Sequence, residues 1–436
     1  MIQRAREWSA ANTEKRAQIN RRYRQTQWDS ESVHSRIQVA TPQWANMEAI
    51  AEIYEKCAAI STETGVPHHV DHIEPLRGAD RCGLHVENNL RIIPARDNLT
   101  KGNSGIAPKR KEFLESLSEQ EKLSYVKELF KECRSAGFPY YDVPSVETIR
   151  KSVVTARRYL IDNPSEELIA TSHGNVVATA FFPHLYSVGM DGKISPEDVF
   201  FNDDLLMKAL TRMIHRHDHV SDRTIRTAIS IYGGARAVSN FPPMIAAKLY
   251  KKYAGDDAVV YDPCGGWGGR MLGAAIAPNV SQYVCTEVSE LSVIGLQQLS
   301  QNLTPFVQSE VVECPAEDFD IGENSVDMVF TSPPYFNHER YSKDNNQSYL
   351  KFNNADAWLQ GFLKRVIENA MRSLRYGGVL ALNVSDVPSC SRLCSETMRL
   401  ALEAGFVSEK THDMFVQSTD GNRRKKSEPV FIFRKL

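Results

Sequence analysis

From residue 256 onward, short apolar runs alternate with helical stretches: AVVYDPC (258–264), SQYVCTEVS (281–289), SEVVECP (309–315), VDMVFTSPP (326–334) and GGVLALNVS (377–385). Strands separated by helices pair in parallel through crossovers, so this half of the chain is expected to fold as an α/β domain around a mostly parallel sheet. Runs with no polar alternation belong to strands covered on both faces. A last run, EPVFIFRKL (428–436), adds another strand.

The remainder reads differently. A chain of 436 residues exceeds one ordinary core, so two domains, or three with a connector, are expected. Residues 1–40 carry Arg4, Arg6, Lys15, Arg16, Arg21, Arg22, Arg24 and Arg36 against Glu7, Glu14, Asp29 and Glu31, a basic arm suited to phosphates or to a solvated helix. A helix is predicted across TPQWANMEAIAEIYEKCAAISTETG (41–65), with Thr41 as cap and Pro42 in the first turn. PHHVDHIEPLRG then reads as a strand and turn, and GLHVENNLRIIPARDNLTKGN as a second strand running into a helix, a ββα outline. Residues 109–137 form charged amphipathic helices closed by Gly137 and Pro139. Between 145 and 235 the pattern is helical, with a strand pair expected around HGN, from Ile169 to Phe182. The expected plan is therefore a basic helical arm (1–45), a ββα domain (46–110), a helical connector (111–235) and an α/β domain (236–436).

Net charge is −2, and 42% hydrophobic with 24% charged residues is ordinary for a soluble chain, which favours neither an enzyme nor a binding protein. Eight cysteines lack CxxC pairing and read as reduced thiols; Cys390 and Cys394 have helical spacing but no second pair to complete a zinc site. No run of 18 apolar residues and no apolar leader core occurs, so a cytoplasmic protein with no membrane partner is expected.

Two strings carry chemistry. In AVVYDPCGGWGGR, Asp262 ends a buried strand and Gly265, Gly266, Gly268 and Gly269 turn into a helix, leaving backbone and helix amides open to a ligand. One strand later Glu287 stands where ribose hydroxyls find an acceptor. In VDMVFTSPPYF, Pro333 and Pro334 fix an extended turn whose carbonyls project without partners. The Ser332 side chain and the Pro333 carbonyl can hold both hydrogens of an exocyclic amino group, aiming its nitrogen at a methyl sulfonium while Tyr335 stacks on the base.

DPCGGWGG followed by TSPPYF resembles the amino-methyltransferases of DNA, the N6-adenine and N4-cytosine class. That resemblance spans roughly residues 236–436. It implies a Rossmann-like class I sheet that binds S-adenosylmethionine at 262–269, ribose at Glu287 and the cofactor's adenine near Asp318, with Asn240 and Phe241 over the methionine end. Cys264 stands where the family usually has Phe. Because the sequence ends at EPVFIFRKL, target reading is assigned to residues 336–357, the middle region or the N-terminal module. Arg423, Arg424, Lys425 and Lys426 are candidates for phosphate contact or for a surface turn.

HHVDHIEPL with GLHVENNLRIIPARDNLTKGN resembles HNH endonucleases of the ββα-metal type. The resemblance makes His72 the general base, Asp71 and Asn98 the ligands of a magnesium-like ion, and Asn89 an orienting residue; hard cations do favour oxygen ligands. His68, His69 and His85 are alternates, and HRHDH (215–219) reads as a solvated helix end. The whole then reads as a phage-type DNA-modifying enzyme with a methylating and a nuclease module. Alternatives are a single-chain restriction-modification enzyme, an RNA or protein-glutamine methyltransferase, and an inert DNA-binding protein. Adenine versus cytosine, recognition sequence and oligomeric state stay open.

Overall fold

The computed structural model describes residues 41–42, 44–64, 66, 68–73, 84–94, 114, 117–190, 193–216, 219–341, 345–416 and 426–436. The basic arm, Cys82, Asn98 and the basic residues at 423–425 lie outside them. The chain divides into Met1–Tyr140 with Val199–Gly234, and Tyr141–Asp198 with Ala235–Leu436. Residues expected to form one connector are thus shared between the two units.

In the first unit, helix Met47–Thr64 precedes an antiparallel pair, β1 (His68–His72) and β2 (Leu90–Pro94), with His72 opposite Leu90. The helix begins later than Thr41 suggests: the Asn46 side chain accepts from the Ala49 amide at 3.1 Å and caps it. Asn89, expected within the second strand, sits in the single 3-10 turn Glu87–Asn89 that leads into β2. Helix Glu119–Ala136 starts with a capping box between Ser118 and Glu121 and ends at Gly137, whose φ of 79° suits glycine. His215, at the end of helix Asp203–Arg216, bonds Glu119 at 2.9 Å, so that part of HRHDH is a helix-to-helix tie.

The second unit is built on an eight-stranded sheet ordered β3-β9-β10-β8-β7-β4-β5-β6. The strands are β3 (Leu168–Ile169), β4 (Ala258–Asp262), β5 (Val280–Glu287), β6 (Gln308–Glu313), β7 (Val326–Thr331), β8 (Leu374–Asn383), β9 (Val407–Val416) and β10 (Lys426–Arg434). From β6 to β8 every neighbouring pair is parallel, and β10 is antiparallel to both β8 and β9. The strand pair expected around HGN is absent: β3 has two residues and pairs with β9, and helix Asn175–Ala180 follows.

Successive residues of the central strands feed opposite faces. Val260, Met328, Phe330, Val379 and Ala381 join the cluster under helices Val146–Asp162, Pro243–Tyr253 and Gly269–Ile276. Tyr261, Val329, Leu380 and Leu382 join the opposite cluster, with Trp358, Phe362 and Leu400. Both faces are covered, which is why these strands read as unbroken apolar runs. No helix among the described residues is long and apolar enough to cross a membrane.

Candidate active site

β4 lies between β5 and β7. In an open parallel sheet, connections leave such a strand in opposite directions and open a crevice beyond its carboxyl end. A cavity of about 1090 Å³ occupies that place, and both the glycine turn (Cys264, Gly265, Gly266) and the Ser332–Tyr335 loop line it. Pockets for one drug-sized ligand span about 300–1,000 Å³. The volume therefore accommodates a nucleoside-sized cofactor together with a planar base.

The glycine wall is held from behind. Asp262 is fully buried and absent from the cavity lining; Oδ2 takes Arg270 Nε at 2.7 Å and the Tyr283 hydroxyl at 2.5 Å, and Oδ1 takes the Cys264 amide at 3.1 Å. Arg270 in turn donates to the Cys264 carbonyl. Burial alone would lower the Arg270 pKa, but Asp262 and Tyr283 reverse that and hold the guanidinium charged. Asp262, expected to touch the cofactor, instead fixes the turn through Arg270, which does line the cavity. Gly268 enters helix Gly269–Ile276 at φ 70°, and a Cβ on Gly269 would stand 2.0 Å from the Phe241 carbonyl oxygen. Asn240 and Phe241 form the adjoining wall, with Asn240 Nδ2 donating to the Trp267 carbonyl at 2.6 Å.

Glu287 lines the cavity with its carboxylate locked: Oε2 accepts from Gly266 N at 2.8 Å, and Oε1 from Val288 N and Ser289 N at 2.9 and 3.0 Å. Burial pushes its carboxyl up, against those three amides. Asp318 stands off the cavity, engaged with Lys351 at 2.9 Å and Arg365 at 3.0 Å; Ala316 and Glu317 line the wall instead. A one-residue offset places the acidic residue expected there outside the site.

On the opposite side, Ser332 Oγ donates to Asn383 Oδ1 at 3.1 Å. The Tyr335 hydroxyl reaches Asn383 Oδ1 at 3.2 Å and the Asn383 carbonyl at 3.3 Å. Phe336 adopts a left-handed backbone, φ 55°, that turns the chain out of the loop, a strain typical of functional sites. Among the described residues, no backbone amide donates to the Pro333 carbonyl. The segment beyond, expected to read the target, reaches back to the cofactor side: Asn346 Nδ2 donates to the Val288 carbonyl at 3.0 Å, and Lys351 pairs with Glu317 at 2.8 Å.

Sequence reasoning missed Arg270, Asn383 and His184. Arg270 ends the glycine string and Asn383 ends an apolar run; a lone polar residue finishing such a run is the available signal. His184 has none, since it arrives from a segment remote in sequence. It lines the cavity, bonds Ser292 Oγ at 3.0 Å, and burial draws its pKa down to about 4, leaving it neutral.

The N-terminal motif residues are arranged otherwise. Asp71 is buried and ion-paired with Arg91 at 2.8 Å. His72 Nε2 lies 2.9 Å from His85 Nδ1, and Asn89 donates to the Leu84 carbonyl at 2.8 Å. No group of three metal-ligating side chains exists among the described residues. Among the described residues, His72 and Asn89 thus contact the Leu84–His85 segment, while Asn98, the second expected metal ligand, lies outside the described residues.

Residues 326–436 match the model of the N6/N4 methyltransferase family, described as DNA methylase; that is about a quarter of the chain and includes Ser332–Tyr335 and Asn383. No curated protein matches the chain. Among solved structures it is similar to a methyltransferase from Pyrococcus furiosus, 17% identical over 45% of this chain and 83% of that one, TM-score 0.32. It is also similar to TrmN from Thermus thermophilus, 19% identical over 45% and 49%, TM-score 0.31. The N-methyltransferase NodS from Bradyrhizobium japonicum is a third, 12% identical over 44% and 93%, TM-score 0.30. The family match lies within the second unit and takes in β7, β8, β9 and β10 of its α/β sheet.

Proposed function

We propose that this chain transfers a methyl group from S-adenosylmethionine to the exocyclic amino group of a DNA base, adenine N6 or cytosine N4. One observation carries the reading: the Ser332–Tyr335 loop and the glycine turn after Asp262 line a single cavity with room for both reactants. The match of residues 326–436 to DNA methylases supports DNA as the substrate class.

The residues fit the cofactor. Backbone at Gly265 and Gly266 leaves the wall open to close approach, and Glu287, already fixed by three amides, retains about one acceptor position for a ribose hydroxyl. Arg270 holds the turn, while Asn240 and Phe241 cover the methionine end. When bound, S-adenosylmethionine supplies an electrophilic methyl group and makes transfer downhill. The protein's task is then to orient the acceptor nitrogen and keep water out. Ser332 Oγ and the Pro333 carbonyl accept the two amino hydrogens, and Tyr335 supplies an aromatic wall for the base. The methylated nitrogen gives its surplus proton to solvent, so no strongly basic side chain is required. A base stacked in a duplex cannot reach this depth, so the substrate is single-stranded or flipped out.

Scission is not part of the proposal. Asp71 is already balanced by Arg91, and the second expected magnesium ligand, Asn98, is outside the described residues, so no step is derived through an ion.

Incubating the full chain with tritiated S-adenosylmethionine and plasmid DNA, denatured or duplex, tests the reading. Base-linked tritium in DNA is the expected result. Label appearing only in RNA, or only in protein, would replace DNA with that substrate; no label in any of them would remove the activity.

A further inference from the structure

Ser332 has a polarity fixed by its neighbours, and Asn383 fixes it. Asn383 ends β8, is 1% exposed, and lies beneath the Ser332 loop. Its Nδ2 donates to the Pro429 carbonyl on β10 at 3.0 Å. A carbonyl has no proton to give, so it dictates which end of the amide faces it. Oδ1 must then face the loop, where the Ser332 and Tyr335 hydroxyls reach it at 3.1 and 3.2 Å. An amide oxygen only accepts, so both hydroxyls must donate. Ser332 thereby spends its one proton inside the protein and can offer the cavity nothing but lone pairs.

We infer that Asn383 is a positioning residue that makes Ser332 an obligate acceptor, selecting bases that present an amino group over those that present a keto oxygen at the same position. The inference rests on the amino-methyltransferase reading and adds a specificity device to it. An unconstrained serine hydroxyl rotates and either donates or accepts, so it would greet cytosine and uracil, or adenine and hypoxanthine, nearly alike. A serine locked by Asn383 faces a keto oxygen with its own lone pair, and a buried polar group left without a partner is costly. The bonding chain runs in one direction: Pro429 carbonyl, Asn383 amide, Ser332 hydroxyl, substrate amino group. No part of it depends on which of the two amino bases is the target.

The test uses the full chain loaded with S-adenosylhomocysteine and measures equilibrium binding of deoxyadenosine, deoxyinosine, deoxycytidine and deoxyuridine by NMR. The parent is expected to bind at least one amino nucleoside about tenfold more tightly than its keto counterpart. Asn383→Leu should reduce that ratio about threefold, because Ser332 can then turn and donate, while the Pro333 carbonyl still only accepts and keeps the remainder. Asn383→Asp should keep it: ionised, its oxygens accept from Ser332, and protonated, it donates to Pro429 and still accepts from Ser332. A merely structural Asn383 would lose the Pro429 contact in the leucine variant without moving the ratio. Ser332→Ala should also lower the ratio, and Asn383→Leu should change nothing further in that background. Melting temperature and S-adenosylhomocysteine affinity, measured on each variant, separate misfolding from lost selection. Equal binding of amino and keto nucleosides by the parent, binding of none of them, or undiminished selection in Asn383→Leu would overturn the inference. Selection by the parent without methyl transfer to any nucleic acid would keep the polarity of Ser332 and remove the proposed reaction.

Discussion

At the carboxyl ends of β5 and β7, Glu287 and Ser332 face one cavity, and the glycine turn beyond β4 joins them. Around the β1–β2 pair, by contrast, Asp71 is ion-paired with Arg91, and the segment before β2 supplies His85 against His72 and the Leu84 carbonyl to Asn89. Both regions carry recognisable strings of polar residues. What separates them is how the backbone gathers those residues. A parallel sheet delivers every strand end to the same edge, so motifs hundreds of atoms apart in sequence converge without further help. A two-stranded pair delivers only its own neighbours, and its expected third contributor, Asn98, falls outside the described residues. Convergence at the strand-end crevice is what gathers the second unit's motifs into one candidate site.

The largest expected effect sharpens this contrast at the buried pair behind the glycine turn. Replacing Arg270 with Met leaves the Asp262 carboxylate buried without its counter-charge, and urea unfolding of the second unit should show a loss of about 3–5 kcal/mol. A change below about 1 kcal/mol would mean that Asp262 does not depend on Arg270. Next comes Ser332→Ala, expected to lower kcat for methyl transfer about 10- to 100-fold, the equivalent of one lost substrate hydrogen bond with misorientation of the nitrogen. His72→Ala, in the other region, should leave that rate within about twofold. Equal losses in the two variants would erase the distinction between the regions.

A smaller effect comes from His184. Its folded pKa of about 4 lies below the ordinary value of 6.5, so between those values the unfolded chain binds more protons. The contribution to stability is complete above about pH 6.5 and is lost as pH falls toward 4. His184→Gln should flatten the stability profile of the second unit in that window by no more than about 2 kcal/mol, after allowance for partial exposure. An unchanged slope would place the histidine's ionisation elsewhere. Of similar size, Arg91→Met takes the counter-charge from Asp71, which is buried although the arginine is 48% exposed. A cost of about 1–2 kcal/mol, confined to the N-terminal unit in hydrogen exchange, is expected, between the values for a surface and a buried pair; no cost would mean that Asp71 does not depend on Arg91.

How much of this was legible in the sequence follows from the same physics. The central strands were visible because both faces are covered and their apolar runs are unbroken. β9, VSEKTHDMFV, was missed because its first five residues are exposed and mostly polar, and among its described side chains only His412 and Met414 are buried. The sides of the cavity were visible in the glycine string, Glu287 and SPPY. Their supports were not: Asp262 looked like a ligand-facing residue because strand-end acids often are, and only packing reveals Arg270 and Tyr283 behind it. Asp318 missed the cavity by one position, which a turn after a strand can shift without leaving a mark in composition. Asn383 escaped notice since one asparagine closing an apolar strand differs little from an ordinary strand terminus.

The central claim, that the Ser332 loop presents an amino group to the cofactor side of the cavity, is tested most directly by nucleoside mass spectrometry of DNA from cells expressing the full chain. The account predicts N6-methyladenine or N4-methylcytosine above the level in cells without it, and a clearly lower amount with Ser332→Ala. Ring-methylated bases such as 5-methylcytosine in place of those products, or equal amounts of them from the parent and Ser332→Ala, would contradict it.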